Sequence, residues 1–361
     1  MKIYLHKDSR LQQFVRNHEV YETVKDLEAL PDDTIQIIPL VWNKTTSQNG
    51  YCLEFIDYIK KSQCYNIIIE NIVEGSNTFV RILDEVGLLK PALEGRYATI
   101  SSGEMPELIR NCNIQYMLYL TGLKNEHQKY VMFSRHKRPY TFLYLNNRIR
   151  EHRKALVEEL AKCEVLDGAL WSHISSGRKL PLEYENTVEI DFESLTDWNR
   201  WEAGSMVTKQ HFDTYFSVQA ESTVRLRYSF FTEKTWKPIL GEHPFITLSG
   251  LNHYQDLRKL GFETFDNVFG SDWQSIEPWE ARMKGIVSAV TNLLKSDLHD
   301  IMFDPETRRQ CRHNQRRFWD LWEEYPVTVS EKVSSFIEEL CPEAETDKRR
   351  WTSDPLYALE L

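Results

Sequence analysis

The sequence lacks the segments that export a protein or anchor it in a membrane. Its start, residues 1–6, enters a short apolar stretch at once, without the apolar core of about 7 to 15 residues that a signal peptide needs. No run approaches the roughly 18 consecutive apolar residues of a membrane-spanning helix. Any membrane association would then be peripheral, and the chain is expected to be cytoplasmic.

Cysteine is scarce and ungrouped. The six cysteines form no C-x-x-C pair and do not cluster with histidines, so they predict reduced thiols and no zinc site. They are Cys52, Cys64, Cys112, Cys163, Cys311 and Cys341. An Asp-x-Asp motif at a strand end is also missing, because Asp32 and Asp33 lie in a proline-led turn that we interpret as solvated. We therefore expect no metal site.

Two further absences narrow the function classes. A glycine-rich Walker loop and paired aspartates for magnesium are missing, which ranks a phosphotransferase last among the enzymes considered. The formal net charge of −10 argues against nucleic-acid binding by the whole surface, although a local basic groove is compatible with an acidic protein.

The composition that is present is that of a packed globular protein. Hydrophobic residues make up 41% and charged residues 27% of the chain, with 10 Trp, 17 Tyr and 17 Phe, which excludes a disordered chain. At 361 residues the chain suits two domains of about 150 residues each. No internal repeat or low-complexity tract interrupts it.

Strand-like and helix-like segments alternate in residues 1–138, which we assign to a first domain. Short β-branched or aromatic runs cover residues 2–5, 35–40, 66–70 and 97–100. Between them, residues 53–61 place Phe55, Ile56 and Ile59 on one helical face, and residues 79–86 repeat this spacing before Gly87. This alternation predicts an α/β fold with a mainly parallel sheet.

A second α/β domain is predicted over residues 139–325. The apolar run 140–145 predicts a buried strand, the polar turn 146–148 follows, and a helix extends to about Cys163. Helix amino termini beyond strand ends bind anions, so Asn147, Arg148 and Arg153 are suitably placed for a diphosphate. A merely solvated turn is the alternative. Residues 326–361 are expected to form a carboxyl-terminal helix and tail, with packing back on the first domain as one option.

The densest chemical signal lies in residues 217–246. It contains an acidic residue with serine, Glu221 and Ser222, then Tyr228, then Thr232-Glu233-Lys234, then Trp236 and a proline-containing strand. This order resembles the donor-binding motif of α1,3-fucosyltransferases over about 30 residues. Thr-Glu-Lys alone is common at helix starts, because it combines a cap with favourable first-turn charge. The ordered combination is what favours a nucleotide-sugar site.

The resemblance implies two Rossmann-like domains facing across a cleft (GT-B type), with the nucleotide sugar in the carboxyl-terminal domain and no metal or other cofactor. The charge of the departing diphosphate must be met by fixed donors, a role that suits Lys234 and an arginine. Thr232 is a candidate helix cap, and Glu233 is expected to accept hydrogen bonds from ribose hydroxyls. Arg225 and Arg227 are further candidates for gripping phosphate.

Inverting transfer needs a base that takes the proton of the attacking acceptor hydroxyl. The leading candidates are Glu70 and Glu74, which follow the strand predicted to end at Ile69. Glu104, in the turn after the next strand, is the alternative. Each of these residues could instead be an ordinary surface carboxylate.

The donor and the acceptor stay open at this point. GDP-fucose is the donor that the resemblance most directly implies, but the strand at His243 and the turn at Asn146 depart from the family's typical forms, so a UDP-sugar is an alternative. Without an export signal, a bacterial or viral enzyme is expected, in host cytoplasm if viral. Its acceptor would be a glycan or a hydroxymethylated base in DNA.

DNA as acceptor predicts a basic groove near the cleft and a pocket for an extruded base. The residues that would build the groove are Lys124, Arg135, His136, Lys137, Arg138 and the basic helix 308–317. A rival of another class is a noncatalytic nucleotide- or glycan-binding module with a degenerate donor fold.

Overall fold

The computed structural model describes residues 3–6, 9, 11, 21–24, 30, 34–40, 53–62, 66–102, 105–114, 135–146, 150–173, 177–181, 184, 209–227 and 229–341. The chain divides into two compact units: unit 1 holds residues 1–116 and 322–361, and unit 2 holds residues 117–321. The second division lies within a few residues of the boundary predicted after residue 325, whereas the first lies well before residue 138.

Unit 1 contains a parallel sheet of six described strands in the order β2-β1-β3-β4-β5-β6. The strands are β1 (Ile3–His6), β2 (Tyr21–Val24), β3 (Ile35–Pro39), β4 (Ile67–Gly75), β5 (Ala98–Ser102) and β6 (Asn111–Asn113). β1, β3 and β5 are buried along their whole length, which explains the largely apolar runs of β1 and β3. The α/β class predicted for this half of the chain is confirmed.

Three described helices lie between β3 and β5 in the chain, and the apolar faces of the first two pack on this sheet. They are α1 (Leu53–Lys61), α2 (Ser76–Glu85) and α3 (Leu89–Leu93). The predicted stripe of Phe55, Ile56 and Ile59 is buried in the same cluster as Phe79 of α2. Gly87 follows α2 with φ of +75°, a left-handed conformation that glycine adopts without steric cost.

The prediction that β4 ends near residue 69 is wrong, because the strand continues to Gly75. Glu70 therefore lies inside the strand, in register with Pro39 on one side and Ile100 on the other. Glu70 and Asn71 end the apolar run in the sequence, but pairing with β5 continues at Asn71 and Gly75 and extends the strand past them. The register shifts between Asn71 and Gly75.

Unit 2 contains a parallel sheet of four described strands in the order β10-β9-β7-β8. The strands are β7 (Tyr140–Asn146), β8 (Leu170–His173), β9 (Thr214–Ala220) and β10 (Phe245–Leu248). Aromatic side chains dominate its core: Phe142, Phe216, Phe245 and Trp236 are at most 1% exposed.

The described helices from residue 151 onward are α4 (Glu151–Lys162), α5 (Lys209–Phe212), α6 (Glu233–Leu240), α7 (His253–Lys259), α8 (Asp266–Phe269), α9 (Trp279–Leu293), α10 (Leu298–Met302) and α11 (Pro305–Leu340). The division between the units falls inside α11, after Leu321. No helix in the described part of the chain combines the length and apolar character needed to cross a bilayer.

The strand order of unit 2 reverses direction between β7 and β9. From β7 the chain passes through α4 to β8 on one side, and from β9 it passes through α6 to β10 on the other. In open parallel sheets such a switch point leaves a crevice at the carboxyl ends of the two strands, where ligands bind. The carboxyl ends of β7 and β9 are therefore the first place to look for a site.

Candidate functional site

Polar residues that are distant in sequence meet at this switch point. Asn146 is the last residue of β7 and Glu221 directly follows β9, and both side chains are buried. Thr232 caps the amino end of α6, where its hydroxyl accepts a hydrogen bond from the backbone N–H of Lys234 at 3.3 Å. The predicted capping role of Thr232 is confirmed.

The Glu221 carboxylate is fully buried and accepts four hydrogen bonds. Oε1 accepts from the Thr232 backbone N–H at 3.1 Å and from the Thr235 hydroxyl at 2.7 Å. Oε2 accepts from the Thr232 hydroxyl at 2.6 Å and from the Ser222 N–H at 3.2 Å. These bonds tie the end of β9 to the start of α6. A ligand could contact this carboxylate only by displacing one of them.

Lys234 lies half-buried in the first turn of α6. Its ammonium Nζ donates to the Thr232 hydroxyl at 3.2 Å. A cation at this end of a helix adds to the positive end of the helix dipole. The amino end of α6 therefore favours an anionic ligand such as a diphosphate.

The first turn of α4 contacts the same backbone. His152 donates through Nε2 to the Glu221 carbonyl oxygen at 2.9 Å, and Arg150 donates to the Ser222 carbonyl oxygen at 2.7 Å. Arg153 is buried, with Nη1 3.5 Å from Asn146 Oδ1 and Nη2 3.5 Å from the Glu221 carbonyl oxygen. The structure thus brings the predicted residue Arg153 together with Glu221.

Burial, together with the neighbouring arginines, lowers the pKa of His152 to about 4. The ring is therefore neutral at pH 7. It contributes a hydrogen bond to the strand end and no charge for a phosphate.

Arg225 and Arg227 lie at the rim of the site, and each forms an ion pair with a different acidic residue. Arg225 pairs with Glu151 of α4 at 2.6 Å, and Arg227 pairs with Glu277 ahead of α9. Both pairs are exposed, and exposed pairs contribute only about 0 to 1 kcal/mol. Either arginine could exchange its partner for a phosphate at little cost.

Arg282 is a buried residue of the site that sequence reasoning missed. Its guanidinium donates to the carbonyl oxygens of Val224 and Ser249 at 2.8 and 3.0 Å, and to those of Ile276 and Glu277 at 2.6 and 2.7 Å. It thereby joins the loops that follow β9 and β10. The available signal was an arginine one residue before Met283 on the buried face of α9.

Several predicted residues lie outside the described residues. These are Asn147, Arg148, Tyr228 and Glu104, together with the side chains of Glu74 and Glu233. The backbone of Glu74 lies within β4, and that of Glu233 begins α6.

In unit 1, Glu70 lies within β4, level with the last residue of β3, and its side chain is one of several buried polar groups in this part of the sheet. It is 1% exposed and accepts a hydrogen bond from the Ser9 hydroxyl. His6 at the end of β1 and Ser101 and Ser102 at the end of β5 are buried as well. A carboxylate in such a setting can accept a proton from a hydroxyl group that reaches it.

Some of the basic residues suggested for a DNA groove have other contacts, whereas Arg135, His136 and Lys137 are exposed. Arg138 donates to the carbonyl oxygens of His211, Phe212 and Thr214, at the amino-terminal edge of the unit 2 sheet. Burial and the nearby Arg308 lower its pKa to about 10. Arg308 pairs with Glu242, which precedes β10. These residues lie at the edge of the sheet opposite the switch point.

Arg309 and Arg317 of α11 are also engaged within unit 2. Arg309 pairs with Glu263 and Glu306, and Arg317 donates to the Leu260 carbonyl oxygen at 2.6 Å. Lys124 lies outside the described residues. Arg308, Arg309 and Arg317 therefore contribute to the packing of α11.

Among the described side chains, no group of three or more His, Cys, Asp and Glu is arranged to hold a metal ion. A scan of the chain against protein-family models finds no match, and searches of the curated proteins and of the solved structures find none.

Proposed function

We propose that this chain is a glycosyltransferase that moves a sugar from a nucleoside diphosphate sugar to an acceptor hydroxyl. The observation that carries the proposal is a coincidence of two independent features in unit 2. The residues that resemble the fucosyltransferase donor motif, Glu221 to Lys234, begin at the strand end where the sheet topology creates a ligand crevice.

The charges at this crevice suit a diphosphate leaving group. Lys234 and the amino end of α6 supply positive charge where negative charge grows as the bond to the sugar breaks. Arg227 can join from the rim, because its ion pair with Glu277 is exposed. Glu233 is assigned to the ribose hydroxyls. In this proposal the donor is a GDP- or UDP-sugar, and the reaction needs no metal.

The proposed reaction is a direct displacement with inversion. The acceptor oxygen attacks the anomeric carbon, the bond from that carbon to the diphosphate oxygen breaks, and a carboxylate takes the hydroxyl proton. We assign this base to Glu70 among the three candidates, because its buried carboxylate contacts Ser9, which follows β1, and its backbone lies level with the carboxyl end of β3. A GT-B arrangement, with donor on unit 2 and acceptor on unit 1, is part of the proposal.

A glycan acceptor is favoured over DNA. The described basic residues Arg138 and Arg308 lie at the sheet edge opposite the crevice and bind carbonyl or carboxylate oxygens there. A DNA acceptor would need cations next to the reacting base to neutralise phosphates. The exposed residues Arg135, His136 and Lys137 instead precede β7, at the same amino-terminal edge as Arg138.

Glu70→Gln tests the base. The amide keeps an oxygen that can accept from Ser9 but cannot take a proton, so kcat for nucleoside diphosphate release should fall by about 10²- to 10⁴-fold with donor affinity unchanged. Release from GDP- and UDP-sugars would be followed with a mixed glycan acceptor pool, with the exposed Glu94→Gln as matched control.

Unchanged kcat in Glu70→Gln would refute the assignment of the base. Tight donor binding by the wild type without release from any sugar nucleotide would instead favour the noncatalytic binding module.

A further inference from the structure

Lys234, the cation that the proposed function assigns to the diphosphate, does not stand alone in the structure. Its ammonium donates to the Thr232 hydroxyl at 3.2 Å, and that hydroxyl donates to Glu221 Oε2 at 2.6 Å. Glu221, Thr232 and Lys234 thus form one chain of side-chain hydrogen bonds. We propose that Glu221 is a positioning residue, which orients the Lys234 ammonium through Thr232 for the diphosphate of the ligand. This inference rests on the proposed function.

The direction of each hydrogen bond in this relay is fixed by chemistry. A threonine hydroxyl has one proton and two lone pairs, and an ionised carboxylate can only accept. The Thr232 proton therefore points to Glu221. Its lone pairs are left for the backbone N–H and the ammonium of Lys234, at 3.3 and 3.2 Å.

Glu221 is held more firmly than the relay alone requires. Its carboxylate is fully buried and also accepts from the Ser222 N–H, the Thr232 N–H and the Thr235 hydroxyl. Because these donors come from both sides, the carboxylate cannot rotate without losing at least one bond. The Thr232 hydroxyl consequently has a fixed orientation.

A fixed acceptor matters for a lysine in particular. The ammonium sits on a flexible four-carbon stem, and ordering such a side chain on binding costs free energy that a pre-positioned side chain avoids. Hydrogen bonds in series also polarise one another, so the carboxylate makes the Thr232 oxygen a better acceptor. The relay should therefore strengthen binding of the diphosphate group and leave binding of the nucleoside unaffected.

The chain offers a matched pair of threonines for the test. Thr232 and Thr235 are both buried, and both donate a hydroxyl to the Glu221 carboxylate, at 2.6 and 2.7 Å. Only Thr232 also contacts the Lys234 ammonium. Thr232→Val interrupts the relay, whereas Thr235→Val removes a similar bond outside it.

The protein is titrated calorimetrically with GDP and with guanosine, and likewise with UDP and with uridine. Each pair gives the ratio of the affinity for the diphosphate to the affinity for the nucleoside. Thr232→Val should lower this ratio about tenfold, Thr235→Val should leave it at the wild-type value, and Thr232→Ser should restore it. If Thr232→Val does not fold, Glu221→Gln, which keeps the cap residue, should show the same selective loss.

A ratio that falls equally in both valine variants, or in neither, overturns the relay while leaving the donor site intact. Wild-type protein that binds neither GDP nor UDP overturns the proposed donor site, and the relay with it. The two failures are therefore distinguishable.

Discussion

Two buried histidines of unit 2, His243 and His253, differ in what their ring nitrogens contact. His243 Nε2 donates to the Thr214 carbonyl oxygen at 2.8 Å, and Nδ1 accepts from the Ser217 hydroxyl at 2.9 Å. Neither ring nitrogen of His253 has a hydrogen-bond partner among the described residues, and the ring packs 5.0 Å from that of Phe231. Burial lowers the pKa of His253 to about 3, so its ring is neutral at pH 7.

We expect His253→Leu to raise the free energy of unfolding at pH 7 by about 1 kcal/mol, because a leucine of similar size removes two buried polar atoms that make no hydrogen bond. His243→Leu should lower it by about 1 to 3 kcal/mol, because the buried Ser217 hydroxyl loses its acceptor and the Thr214 carbonyl oxygen loses one of its two donors. Urea unfolding with unchanged m-values measures both. Equal losses in the two variants would contradict this account.

At the scale of single residues, local chemistry was predictable and tertiary contacts were not. Thr232 could be identified as a cap because capping depends on the next two or three residues. The hydrogen bonds that the Glu221 carboxylate accepts from Thr232 and Thr235 depend on the path of the chain between these residues, which is a tertiary feature. The four acceptors of Arg282 come from three separate segments, and no sequence pattern reports their approach.

At the scale of secondary structure, buried parallel strands were the most predictable elements. β1, β3, β5 and β7 were all located to within one or two residues, because strands covered on both faces are apolar runs. β4 was predicted too short because Glu70 and Asn71 interrupt its apolar run. β2 and β6, at the two ends of the described order, were missed, because they are short and lack an apolar run.

Helix prediction followed the same division. α1 was predicted with the bounds it has, since its apolar residues repeat at helical spacing. The order of the strands, and hence the switch point between β7 and β9, could not be predicted, because it depends on which strands pair. The motif in residues 217–246 predicted the candidate site from the sequence, whereas only the strand order shows that this site lies at the switch point between β7 and β9.

At the scale of the whole molecule, buried neutral histidines make stability depend on pH. Burial depresses the pKa of His152 to about 4, that of His253 to about 3, and that of His243 well below its ordinary value. The unfolded chain, in which histidine titrates near pH 6.5, therefore takes up protons that the folded chain excludes. Stability is present above about pH 6.5 and is lost as the pH falls below it.

Each of these histidines should cost roughly 1 kcal/mol of stability between pH 7.5 and 5.5, a window above the titration of ordinary carboxylates. Urea titrations at the two pH values measure the loss. In His253→Leu the loss of unfolding free energy between the two pH values should be smaller than in the wild type by roughly 1 kcal/mol, the contribution of one histidine. A loss identical to that of the wild type would show that His253 already accepts protons in the folded state.

The most direct test of the central claim is a calorimetric titration of the wild type, Lys234→Ala and Lys237→Ala with GDP-, UDP-, ADP- and CMP-sugars. Lys237 lies one turn further along α6 and is the matched control. The account predicts that one GDP- or UDP-sugar binds the wild type and Lys237→Ala alike, and binds Lys234→Ala about 10- to 100-fold more weakly. Absence of binding by the wild type, or equal binding by all three proteins, would contradict a donor site at the amino end of α6.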